Sequence, residues 1–290
     1  MSLYELFAAP FADYAFMRRA LAGCVALSTG AAPVGVFLML RRMSLAGDAM
    51  AHAILPGTAA GFLLFGLKVI PMTIGGMAAG LIVALSAGAV ARTTALKEDA
   101  SLAAFYLIAL ALGVLIISLK GSSVDLMHIL FGSVLALDDQ ALLFLGGAAT
   151  FSLLLLALIW RALITECVDP VFLSVTWGRG AIAHGAFLAL LVLNLVAGFQ
   201  ALGTLLAVGI MMLPAIAARF WAKSLAGMIA AAIAIALISS AAGLLVSYHL
   251  SLASGPSITL AAGMIYIVSL AAGPAGGFVW TLTPQRHRAA

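Results

Sequence analysis

The stretch RRMSLAGDAMAHAILPG, Arg41 to Gly57, joins two long apolar runs through a pair of arginines, then sets Asp48 and His52 four residues apart at the head of the second run. The chain around it is 65% hydrophobic and 8% charged over 290 residues, whereas a soluble domain carries roughly 25% charged residues. Most of the sequence falls into apolar stretches of about 17 to 25 residues, the length that crosses a bilayer core as a helix. No two-residue alternation runs through many segments, so the expected spanning structure is helical rather than a barrel. The sequence predicts an all-α, polytopic transmembrane helical bundle.

About nine spans are expected, over 16–40, 44–67, 71–91, 101–119, 141–160, 181–198, 201–218, 224–248 and 256–273. The organisation that follows is an interfacial N-terminal segment over 1–15, one transmembrane domain over 16–273 and a tail over 274–290. Phe7, Phe11 and Tyr14, beside Glu5 and Asp13, give the first segment its interfacial character. Positive charge sets the orientation. If the breaks after the first, third, fifth and seventh spans face the cytoplasm, that side and the tail hold ten of the 14 Lys and Arg, including Arg41, Arg42, Arg92, Arg219 and Lys223. The N-terminus is therefore expected outside and the C-terminus in the cytoplasm. The net charge of +4 is accounted for in this way and calls for no nucleic acid.

Small residues recur at helical spacing, in Ala53, Gly57 and Gly61 and again in Gly76 and Gly80. Such ladders let helix backbones approach closely in lipid. A tight contact within one subunit and a dimer or pore face are both compatible with them. Pro56 and Pro214 are expected to kink or interrupt their helices. Cys24 and Cys167 fall in different places, and no disulfide is expected.

Asp48 and His52 are the strongest chemical signal. Residues four apart share one helix face, and an aspartate inside a membrane span is costly enough that it should face the bundle interior or a wet cavity. Carboxylate and imidazole side by side are half of a divalent transition-metal site. A helix cap for Asp48, with His52 bonded to a carbonyl, explains the same spacing. Asp125 and His128 pose the same choice near the other face, between a cation entrance and a cap with a buried histidine. Glu98, Asp99, Asp138 and Asp139 read as helix caps, and His184, Asn194 and Gln200 as interhelical hydrogen-bonding groups. No GxxxxGK[ST] loop is present, so the chain is not expected to hydrolyse ATP itself or to be an enzyme.

Four stretches together resemble the permease subunits of bacterial zinc- and manganese-type metal-ion ABC importers. They are RRMSLAGDAMAHAILPG at 41–57, VDLMHILFGSVLAL at 124–137, FQALGTLLAVGIMMLPAIAARF at 199–220 and SGPSITLAAGMIYIVSL at 254–270. The resemblance covers about 16–273 and implies an inner-membrane permease with Asp48 and His52 as transient metal ligands. It also implies a cytoplasmic ATP-binding subunit, a periplasmic metal-binding protein and a second permease subunit, expected to be an identical copy. No permanently bound cofactor is implied. The segment DPVF, Asp169 to Phe172, looks like the family's coupling segment for the ATPase. Where the family carries an acidic or amide residue after LFG, Ser133 stands here. After DPVF the chain has Leu173 and Trp177, with Gly178 one step late, which suggests a dedicated ATPase. Zinc is the expected cargo because the 124–137 stretch reads closest to zinc permeases, with manganese and iron as alternatives. A proton-coupled secondary transporter and a membrane-embedded metalloenzyme are the readings outside this family.

Overall fold

The computed structural model describes residues 3–66, 68–118, 134, 137–168 and 180–279. Among these residues the structure is helical, without strands. Two short helices, α1 (Leu3–Phe7) and α2 (Ala9–Asp13), precede α3 (Ala15–Leu40), α4 (Ala46–Ala53), α5 (Leu55–Phe65), α6 (Val69–Thr93) and α7 (Glu98–Ser118). Then come α8 (Asp139–Val168), α9 (Gly180–Leu202), α10 (Thr204–Ala218), α11 (Leu225–Leu250) and α12 (Ser254–Ala272). Among the described residues eight helical segments are long and apolar enough to cross a membrane, with α4 and α5 counted as one. The expected seventh span is α10, an apolar helix of only 15 residues. At 1.5 Å per residue it is about 22 Å long, shorter than a bilayer core of about 30 Å. Hydropathy finds such a segment but does not say that its first turn starts inside the bundle.

That turn depends on Gly203, whose φ of 95° lies in the left-handed region that glycine adopts without strain. Its N–H donates to the carbonyls of Gly198 and Phe199, closing α9 before α10 sets off in reverse. The opening stretch turns by a related device. Arg42 stands at φ 60°, Arg42 N–H donates to Met39 and Met43 N–H to Leu38. This is a Schellman closure with an arginine where glycine is usual, at a cost of about 1 kcal/mol.

The helices α3 and α9 form the centre, each largely buried, while α7, α8 and α12 expose most of their surface. Leu154, Leu158, Ile108 and Leu260 point outward. The pattern inverts that of a soluble core, as a lipid-facing surface requires. Inside, Asn194 donates through Nδ2 to Ser152 Oγ on α8 and to the Leu190 carbonyl, both at 2.8 Å. Thr73 donates to Gln200 Oε1 across α6 and α9. These are the interhelical bonds the sequence suggested for Asn194 and Gln200. Cys24 and Cys167 are free thiols.

The chain alternates direction between two ends. Tyr14 stacks near Tyr248, and Arg19 pairs with Asp139 at 3.0 Å, so the starts of α3 and α8 meet the end of α11. His249 bonds the Leu6 carbonyl at 3.0 Å at this same end. At the other end, Arg41 meets Glu166 and His184, and Ala275 N–H donates to the Phe220 carbonyl. The interfacial segment is thus two short helices, with Tyr4 and Phe7 exposed.

The glycine ladders make contacts within the chain. A Cβ on Gly57 would overlap the Gly75 carbonyl oxygen, and a Cβ on Gly75 would overlap that of Gly57. Here α5 and α6 touch backbone to backbone, which supplies packing that apolar burial does not supply in lipid. Gly57→Ala should therefore lower stability by about 1–3 kcal/mol, because neither helix axis can yield without losing the seam. Thermal unfolding in detergent measures this, and an unchanged midpoint would show that the seam is looser than described.

Candidate ion site and a buried charge cluster

Helix α4 begins after Leu45, whose side chain makes no capping bond. Asp48 lies in the first turn, where the helix N-terminus favours a carboxylate. Among the described residues Asp48 accepts no capping bond and His52 meets no carbonyl, so the cap explanation for this spacing does not hold. His52 Nε2 stands 4.0 Å from Asp48 Oδ1, too far for a hydrogen bond. It is about 0.6 Å wider than the roughly 3.4 Å between two ligand atoms on one tetrahedral ion. A small rotamer change therefore suffices for both side chains to touch one cation.

The pair is not enclosed by its own chain. Asp48 is 70% exposed and His52 37%, on a helix whose other face is packed. Asp48 lines a cavity of about 150 Å³ between α4 and α7, together with Leu45, Asp99, Leu102 and Tyr106. The His52 ring stacks on Tyr106 with centroids 6.3 Å apart and planes 29° apart. Past the pair, Pro56 stands in the first turn of α5 and interrupts the backbone ladder, and Thr58 Oγ1 donates to the Leu55 carbonyl at 2.9 Å in the same turn. Among the described residues no group of three or more His, Cys, Asp or Glu gathers for a metal. Two ligands per chain are what the fold offers here.

A second constellation escaped the sequence reading. Arg41 Nη2 donates to Glu166 Oε1 at 2.8 Å, contacts His184 Nδ1, and its guanidinium lies 4.8 Å from the Phe187 ring centre. His184 Nε2 pairs with Glu98 Oε1 at 2.8 Å, and its Nδ1 lies 3.3 Å from Glu166. Side chains of Arg41, Glu166 and His184 are all under 10% exposed. The cluster ties together the end of α3, the start of α7, the end of α8 and the start of α9. Glu98 is thus an interhelical partner rather than a cap, whereas Asp138 does cap α8 through a 2.7 Å bond from Ala141 N–H. The sequence showed His184 as a hydrogen-bonding residue; its partners lie 86, 143 and 18 positions away, a separation without local pattern.

Asp169 and Phe172, the expected coupling residues, lie outside the described residues, as do Asp125, His128, Ser133, Leu173 and Trp177.

Residues 13–273 match the ABC 3 transport family. The chain is 34% identical over 262 residues to the manganese import system permease protein ScaB of Streptococcus parasanguinis, covering 90% of this chain and 92% of that one. It is 31% identical over 268 residues to the chelated iron transport system membrane protein YfeD of Yersinia pestis, with 92% and 89% covered. The solved structure of PsaBC from Streptococcus pneumoniae in complex with Fab superposes at a TM-score of 0.83 and 30% identity, covering 97% of this chain and all of that one. With its eight long apolar segments, the chain belongs to the ABC 3 transport family as a multi-pass membrane permease.

Proposed function

We propose that this chain is the permease of an ABC importer that carries a divalent transition metal, manganese foremost, into the cytoplasm by ATP-driven alternating access. The observation that carries the reading is the Asp48–His52 pair, which presents two metal-ligating groups outward from one helix face. A second identical permease, related by a two-fold axis, brings a second pair opposite the first and makes four ligands. Moving the subunits apart then opens the site, so an ion that bound well enough to shed water is released.

In this reading the Arg41 end faces the cytoplasm, as the excess of Lys and Arg on that side favours. An ATP-binding subunit docks there through the segment that contains Asp169 and Phe172, and a periplasmic metal-binding protein loads the opposite end. Manganese takes the place of zinc in this reading because ScaB is named for manganese import. A carboxylate and an imidazole accept either metal, and since such ligands by themselves bind zinc more tightly, the preference for manganese rests on site geometry and metal availability. Iron is the second reading, favoured by the likeness to YfeD.

The test is competitive uptake of labelled manganese, zinc and iron by cells lacking their own importers and carrying this chain with its ATPase and binding protein. ATP-dependent manganese uptake that resists an equal concentration of zinc is expected. Preferred zinc uptake would overturn the ion assignment alone. Uptake indifferent to ATP depletion but abolished by a protonophore would replace the ABC mechanism with proton coupling.

A further inference from the structure

Resting on the reading of Asp48 and His52 as ion ligands, we propose that Tyr106 of α7 is a positioning residue for that site. It holds the His52 imidazole in the orientation from which it can share an ion with Asp48. An imidazole on a helix turns about two side-chain bonds, and the backbone alone fixes neither its plane nor which nitrogen faces Asp48. Among the described residues, the contact that restrains the plane of the His52 ring is the stacked Tyr106 ring. Tyr106 also forms part of the wall of the cavity that Asp48 lines. One side chain therefore borders both members of the pair.

Its position is fixed from behind. Leu102, one turn earlier on α7, is buried, as is Ala109, and Glu98 at the head of the helix is bonded to His184. These contacts hold α7 beside α4, so the ring reaches His52 from a fixed stretch of helix. A ligand held in its binding orientation before the ion arrives loses less freedom on binding. The ring rather than the phenol hydroxyl makes the contact, so phenylalanine should serve equally and an aliphatic side chain should not.

The experiment titrates Mn²⁺ against the detergent-purified permease–ATPase complex, reading free ion by electron paramagnetic resonance. Wild type is compared with Tyr106→Phe, Tyr106→Leu, Tyr106→Ala and the Asp48→Ala/His52→Ala double variant. Tyr106→Leu and Tyr106→Ala are expected to weaken Mn²⁺ binding about three- to tenfold, the size of one aromatic stacking contact. Tyr106→Phe should bind as wild type does, and all the single variants should retain assembly. Affinities within twofold of wild type in Leu and Ala, with the double variant no longer binding, overturn the role of Tyr106 and leave the ion site standing. Equal weakening in Phe assigns the effect to the hydroxyl and also overturns the proposal. Binding that survives in the double variant removes the ion site and this inference with it. If Tyr106→Ala fails to assemble, the contrast between Leu and Phe decides.

Discussion

Replacing Asp48 and His52 together by alanine should cut ion uptake more than about 100-fold while the permease remains assembled with its ATPase. The size of the effect follows from what the fold provides. Among the described residues no third or fourth His, Cys, Asp or Glu stands near enough to replace a lost ligand. Even groups that only support metal ligands typically change affinity or activity 10- to 100-fold when removed, and these two would be the ligands themselves. Folding should be little affected, because both side chains are substantially exposed within the chain and neither is hydrogen-bonded in the bundle interior. The measurement is uptake of labelled manganese alongside ATPase activity of the purified complex. ATP hydrolysis that persists without uptake fits the site as described. A double variant that imports manganese at the wild-type rate would falsify it.

The largest effect on stability is expected at Arg41. Its guanidinium is set against the buried Glu166 carboxylate and touches His184, which in turn pairs with Glu98. Arg41→Met should lower stability by about 3–5 kcal/mol, because removing one partner leaves a buried charge uncompensated. Glu166→Gln alone should be costly too, but the two changes together should cost less than their sum, as expected of groups in direct contact. Thermal unfolding of all three variants in one detergent completes the cycle. Additive losses would mean that Arg41 and Glu166 do not act as a pair. The cluster joins four helix ends, two of them the ends of α8 and α9 that flank the 169–179 segment. Arg41→Met is therefore expected to loosen that end of the bundle more than the Tyr14 end, which local hydrogen-exchange protection can distinguish.

These two sites show different degrees of legibility in the sequence. Asp48 and His52 were readable because both lie on one helix within four residues, and helical geometry alone places them on one face. Their chemical partners were not. Tyr106 is 54 positions beyond His52 and reads as one more apolar residue of a span. Arg41 reads in the sequence as one of the charges that set orientation, whereas the structure buries it between Glu166 and His184. Glu98 passed for a cap for the same reason: its local position fits one, and only the neighbouring helix supplies the better partner.

The sequence by itself determined that this protein is a bundle of membrane helices and roughly where each begins, although α8 runs eight residues past its expected end and the expected second span is divided into α4 and α5. In a bilayer core every backbone polar group must be satisfied by the protein itself, so long apolar runs without the alternation of barrel strands dictate helix. It also determined that Gly57 and its neighbours would meet another backbone closely. Which backbone, Gly75, was left to tertiary structure, as were the short reach of α10, the enclosure of the Arg41 cluster and the placement of Tyr106 on His52. The physical reason is that lipid is as apolar as the helix surfaces it bathes. Hydrophobicity therefore drives segments into the membrane without choosing their neighbours, and the choice falls to shape, close backbone contact and a few buried polar groups.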